Sequence, residues 1–194
     1  MLNKKCLPAI VLLAISMTSA AASAQVYVDA AVGSGQWSKR NCIANLKCTS
    51  GTAFKLTGGY TLDKNFSLEA STFTLGEETV RDTSPEYQTY SKGRTNGVSL
   101  AGVFNYEFNE RFSGFTKLGI ASLSGNGKGH WSDGTFRGGT SWEHKSTNLL
   151  LGAGVKYKLN DNVSLTLGLD QFRLKSNLQK PVARAFTVGA QYSF

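Results

Sequence analysis

Three groups of residues in this chain have the types and spacings that chemistry needs. The first is His130-Trp131-Ser132, followed further along by Glu143. A serine hydroxyl beside an imidazole, with a carboxylate to orient that imidazole, is the set from which an activated nucleophile is built. The second is the pair Cys42 and Cys48, set between polar and basic clusters. No histidine lies nearby to complete a zinc centre, and in an oxidising compartment two thiols this close are expected to close a small disulfide loop. The third is a set of charges, Asp29, Lys55, Glu69, Glu107, Lys117, Lys156 and Asp170, each embedded in a run of alternating apolar and polar residues. If such residues face an interior they must be paired. His130 and His144 bring no third ligand, and Gly125-Asn126-Gly127-Lys128-Gly129 lacks the spacing of a phosphate loop, so no metal and no cofactor is expected.

The elements that must position these groups are strands. Alternation of apolar and polar residues marks eight segments, 26–33, 53–62, 66–75, 97–108, 112–123, 148–159, 163–174 and 185–194. In the first, Val26, Val28, Ala30 and Val32 share one face and Tyr27, Asp29 and Ala31 the other. In the seventh, Val163, Leu165, Leu167 and Leu169 oppose Ser164, Thr166, Gly168 and Asp170. All seven of the embedded charges fall on the polar face, with glycines, serines and threonines. Three connections are tight and rich in turn formers: Asp63-Lys64-Asn65, Asn109-Glu110-Arg111 and Asn160-Asp161-Asn162. The other four, 34–52, 77–96, 124–147 and 175–184, are long, and short strictly alternates with long. Up-and-down barrels that cross a membrane have this asymmetry.

The chain opens with Lys4 and Lys5, a short apolar run from Leu7 to Met17, and Ala22-Ser23-Ala24. This is the organisation of a secretory signal peptide, cut after Ala24, and too short to span a bilayer. Residues 1–24 are thus read as the signal and 25–194 as one domain. A soluble barrel or sandwich would also alternate, with its apolar face turned inward. The signal, the loop asymmetry and an aromatic Phe194 closing an alternating strand favour the membrane. The expected fold is all-β, an eight-stranded antiparallel up-and-down transmembrane β-barrel. Its lumen is just filled by side chains, which argues against a general porin. The interior charges are expected to form a fixed ion-pair network; rearrangement into a narrow gated ion pore is the alternative. Tyr60, Phe66, Phe108, Phe112, Tyr157 and Phe194 near the short turns, and Phe54, Phe172 and Phe186 near the long loops, are expected to form the two interfacial aromatic girdles. Lys39, Arg40, Lys47, Lys175, Lys180 and Arg184 make the long loops basic, and Trp37, Trp131 and Trp142 are placed there too. The formal charge of +8 does not read as nucleic-acid binding in an exported barrel.

The eight segments, the opening Val26-Tyr27-Val28-Asp29-Ala30-Ala31-Val32-Gly33 and the close Gln191-Tyr192-Ser193-Phe194 resemble the OmpA-type transmembrane domain. This is the group of small eight-stranded outer-membrane proteins that includes the OmpX/Ail and opacity-like proteins. The resemblance covers the whole chain after the signal and stops at the barrel, so the peptidoglycan-tethering role of full-length OmpA is not carried over. It implies a monomeric scaffold in the outer membrane of a Gram-negative bacterium, with extracellular loops and periplasmic termini. The expected partners are outer-membrane lipid, and lipopolysaccharide phosphates or a polyanionic host surface for the basic loops; the resemblance adds the barrel-assembly machinery, which reads a terminal aromatic such as Phe194. His130 and Ser132 also loosely resemble the motif of outer-membrane lipid A deacylases. That match departs where the family's Asn after the serine is Asp133 here, and it lies in a glycine-rich stretch, so a lipid A-modifying enzyme is the least favoured reading.

Overall fold

The computed structural model describes residues 26–37, 46–49, 51–82, 88–132, 137–173 and 182–194. The described residues form strands β1 (Val26–Trp37), β2 (Leu46–Thr49), β3 (Gly51–Thr61), β4 (Phe66–Asp82), β5 (Gln88–Glu107), β6 (Phe112–Ser132), β7 (Arg137–Lys158), β8 (Val163–Arg173) and β9 (Val182–Ser193). Every pairing is antiparallel. β1 pairs with β3 on one side and β9 on the other, and the ladder continues through β8, β7, β6, β5 and β4 back to β3. Eight strands therefore close on themselves. The ninth, β2, adds a short ladder to the far end of β4 (Leu46 opposite Asp82).

This barrel is apolar on the outside. Val28, Leu56, Leu68, Leu100, Leu118, Val155, Leu167 and Val188, one from each closing strand, are 40–60% exposed. A soluble domain leaves single leucines outside, never a continuous band of them around its girth. The band continues along each strand at every second position, over the ~25 Å that lipid tails require. Among the described residues no helix is long and apolar enough to cross a membrane.

The three tight connections share one geometry. The first residue's side-chain oxygen, on Asp63, Asn109 or Asn160, accepts from the amides two and three positions on, at 2.8–3.0 Å. Short polar side chains hold turns this way. In the third turn Lys158 donates to Asp161 at 2.8 Å, which holds the Asp161 carboxyl below its ordinary range.

At the other end the strands run well past the expected boundaries. Much of what reads as loop at 77–96 and 124–147 is ladder: Arg94 pairs with Asn126, which pairs with Glu143, and the register holds out to Ser132 opposite Arg137. Trp37, Trp131 and Trp142 therefore lie on strands. The reason is the solvent. Alternation of apolar with polar residues persists only where one face meets lipid. Beyond the belt both faces are wet and the pattern fades, while the hydrogen-bonded ladder continues. A bulge between Thr74 and Gly76, with Gly76 at φ 80°, shifts the β4–β5 register as the sheet leaves the barrel.

The lumen is layered. Charged and hydroxyl-bearing residues occupy the part toward the short turns. Toward the long hairpins it is closed by Phe73, Leu75, Leu123, Leu150, Phe172 and the alanines 101, 121, 183 and 185. Phe172, expected on the lipid face, is 2% exposed and stacks on Phe73 at 4.9 Å. Strict alternation from Leu169 puts Phe172 on the side of Asp170, and packing follows the alternation. Phe172→Ala is expected to lower the unfolding free energy in lipid vesicles by ~3–5 kcal/mol in urea titrations, with Phe172→Leu costing less than half of that.

Candidate functional site

The lumen charges sit on different strands and meet because neighbouring strands are in register. Tyr27 on β1 lies one ladder step from Gly59, and Glu69 on β4 one step further. Tyr27 donates its hydroxyl to Glu69 Oε1 at 2.9 Å, and Lys117 from β6 donates to Glu69 Oε2 at 2.7 Å. Both carboxylate oxygens are thus used, and both members of the ion pair are almost fully buried. A second pair, Lys55 with Asp170 at 2.8 Å, links β3 to β8. Asp29 accepts from the Thr166 hydroxyl at 2.7 Å. Lys156 sits between two rings, with its ammonium 5.0 Å from the centre of Tyr27 and 5.4 Å from that of Phe115. Lys117 also lies 4.9 Å from the Phe115 ring. Burying charge in a narrow lumen is costly unless each is paired or faces a π-system.

Six of the seven residues grouped from the sequence meet in this layer. Glu107 does not: it is exposed at the short-turn mouth, on the wall of a cavity of about 690 Å³ that also includes Lys156, Asn105, Arg111 and Gln191. Its place at the end of β5, two residues short of the turn, accounts for that. Phe115 is the member that sequence reading missed, although it shares the lumen parity of Lys117; Tyr27, read on the same face as Asp29, bonds Glu69.

The aromatic residues named near the short turns are all at that end. Phe112 and Tyr157 meet at 4.8 Å, Phe66 packs edge-on against Phe104 at 5.2 Å, Phe108 against Tyr106 at 5.3 Å and Phe194 against Tyr192 at 5.0 Å. Tyr60 is exposed on the same rim, while Phe54 and Phe186 are exposed toward the far edge of the belt.

The second surface of interest is on the extended ladder of β4–β7. Above the lipid-facing Val98, Ile120 and Leu149, the same outward parity carries Lys92, Arg94, Lys128 and Lys145. Lys92 pairs with Glu77 at 2.8 Å and Lys145 with Glu143 at 3.2 Å. Arg94 and Lys128 are exposed and have no carboxylate within salt-bridge distance among the described residues. None of these cations was singled out from the sequence, because the stretch reads as loop until its register is known. Of the basic residues that were, Lys47 lies opposite Arg81 in the β2–β4 ladder and Arg184 is exposed on β9. Lys39, Arg40, Lys175 and Lys180 lie outside the described residues, as does Cys42; Cys48 is on β2.

The nucleophile set is not brought together. His130 pairs with Gly139 across the β6–β7 ladder, whereas Glu143 pairs with Asn126, four residues away or ~13 Å at strand rise. Glu143 is engaged with Lys145 instead.

Within the lumen, Glu69→Ala would strand the buried Lys117 ammonium. A loss of ~3–5 kcal/mol in unfolding free energy is expected in lipid. The double variant Glu69→Leu/Lys117→Met is expected to recover most of it. A single variant no worse than the double would show that the pair is not desolvated.

The closed ladder and the layered lumen can be set beside known proteins. Among solved structures, the attachment invasion locus protein Ail of Yersinia pestis superposes with a TM-score of 0.55 at 17% identity, covering 88% of this chain and 99% of Ail. OprG of Pseudomonas aeruginosa gives 0.57 at 14% identity, covering 88% and 96%. The N-terminal barrel domain of OprF from Pseudomonas aeruginosa gives 0.55 at 13%, covering 87% and 97%. At these identities the likeness is one of fold. No curated protein sequence matches the chain. The family model for the outer membrane protein beta-barrel domain matches residues 7–194. A closed eight-stranded barrel with an apolar exterior, matched by that model over nearly its whole length, belongs to the outer membrane protein beta-barrel family of the Gram-negative outer membrane.

Proposed function

We propose that this protein is a surface scaffold whose long hairpins leave the membrane on the extracellular side, and that their outward face binds the phosphates of lipopolysaccharide. The observation that carries the reading is the position of Lys92, Arg94, Lys128 and Lys145, on the lipid-facing parity and directly beyond the apolar belt. A cation there faces sideways, toward the headgroups of its own leaflet, where the nearest anions are phosphates. The basic residues Lys39, Arg40, Lys47, Lys175, Lys180 and Arg184, read from the sequence as loop cations, belong to the same proposal. Ail, in one of its structures, is bound to the heparin analogue sucrose octasulfate, a polyanion of the same general chemistry.

The remaining assignments belong to the same proposal. Residues 1–24 are the cleaved signal and 25–194 the barrel, the termini and short turns are periplasmic, Cys42 and Cys48 form a disulfide, and the protein acts as a monomer. The aromatic rings at both edges of the belt serve as interfacial girdles. The lumen ion pairs serve to close the barrel: the apolar layer of Phe73, Phe172, Leu123 and Leu150 lies between them and the hairpins, which speaks against a gated pore. The separation of His130 from Glu143 speaks against the deacylase-like reading.

Two measurements test the proposal. Arg94→Gln/Lys128→Gln is expected to weaken binding of lipopolysaccharide to the protein in nanodiscs about thirtyfold, at ~1 kcal/mol per cation near an anionic surface, with the difference shrinking as salt rises. Unchanged affinity at low salt would overturn it. Phe194→Ala is expected to reduce the amount of assembled barrel in cells severalfold while changing the unfolding free energy of the folded protein little. Equal losses in both would mean that Phe194 contributes packing alone and is not read during assembly.

A further inference from the structure

The β5–β7 ladder beyond the barrel has two unlike faces. Its described cations point outward. The face continuous with the lumen carries Ser91, Gly93 and Thr95 on β5, Gly125, Gly127 and Gly129 on β6, and Thr140, Trp142 and His144 on β7, by direct register opposition. Trp142 lies across the glycines. A Cβ placed on Gly127 would stand 2.5 Å from the six-membered ring, one on Gly93 3.2 Å from it, and one on Gly125 3.4 Å. The indole therefore rests on bare backbone from two neighbouring strands, and a side chain at Gly127 would lift it off. Its other side is open, for Trp142 is 46% exposed.

This is a ring held flat in advance of any contact. Its neighbours on this face from β5 to β7 are hydroxyls, an imidazole and glycine backbone; on β4 the register sets Glu78 opposite Gly93 and Val80 opposite Ser91. A peptide side chain landing there would find one apolar surface and little else to bury against. A polyanion would find no cation on this face among the described residues. A pyranose ring fits both properties: its C–H face stacks on an indole and its hydroxyls seek scattered donors and acceptors. Resting on the reading that these hairpins present binding surfaces outside the membrane, we propose that Trp142 on its glycine floor is a stacking site for a neutral hexose unit of a surface polysaccharide, with Thr140, His144 and Ser91 as the adjoining polar groups.

The test uses the full protein in phospholipid nanodiscs, free of sugar-headed detergent, on an array of neutral hexose oligosaccharides with sulfated ones alongside. Neutral oligosaccharides are expected to bind, to be insensitive to salt, and to lose at least about tenfold in affinity in Trp142→Ala. Trp142→Phe is expected to retain part of the binding, and Gly127→Ala to weaken it with Trp142 still present. Arg94→Gln/Lys128→Gln is expected to leave it unchanged, which separates this site from the basic face. Heat-modifiable migration of each variant establishes that the barrel is intact. The inference is overturned if no neutral oligosaccharide binds, if binding survives Trp142→Ala, or if only sulfated glycans bind and salt abolishes the binding. The lipopolysaccharide measurement on the outward face is independent of all three outcomes.

Discussion

The structure depends on one constraint: in lipid, every backbone N–H and C=O must find its partner within the protein. A sheet satisfies that only by closing, and β1 does so by accepting β3 on one edge and β9 on the other. Closure with eight strands then sets the diameter, and the diameter leaves room in the lumen for side chains alone. The outside must be apolar because its solvent is. From these follow the exposed leucines and valines, the alternating parity of every strand and the crowding of what remains inside.

That crowding explains the lumen. A polar parity brings charges inward from six different strands, and the narrow bore forces them together at hydrogen-bonding distance. Glu69 is saturated by Tyr27 and Lys117, Lys55 takes Asp170, and Lys156, with no carboxylate at salt-bridge distance among the described residues, is met by the π-faces of Tyr27 and Phe115. Toward the hairpins the same parity carries Phe73, Leu123, Leu150 and Phe172, and the lumen turns from paired charge to packed apolar side chains. Such a filling favours one closed arrangement, since opening a path would expose buried charge and break the Phe73–Phe172 stack together.

Beyond the belt the constraint relaxes. The ladder need not close, and water satisfies its free edges. The strands nonetheless keep their register from the barrel, so the parity that separates lipid from lumen goes on separating two surfaces above the membrane. One collects Arg94, Lys128, Lys92 and Lys145; the other collects glycines and Trp142. Neither surface needs its own folding signal, because the barrel below supplies the alignment.

Much of this was legible in the residues alone. Alternation from Val26 to Phe194 marked eight strands, because lipid on one face and a narrow polar lumen on the other impose period two on every crossing. The Asp63, Asn109 and Asn160 turns were visible because an Asx oxygen capping the next amides needs that residue type at that position. The same logic placed Asp29, Glu69, Lys117 and Asp170 on one face. What the residues could not show was which partners meet. The pairing of Glu69 with Lys117 and of Lys55 with Asp170 depends on the stagger between strands far apart in sequence, and only closure sets that stagger. The upper hairpins read as loops because hydrophobic periodicity vanishes where both faces meet water. Phe172, an aromatic near the long loops, reads as lipid-facing although its parity points inward, and packing against Phe73 settles its place. Sequence thus determined the period, the turns and the solvent of each face, which are local matters of side-chain chemistry. Tertiary structure decided the register, and with it every contact between strands, because closing the ladder is a property of the whole sheet.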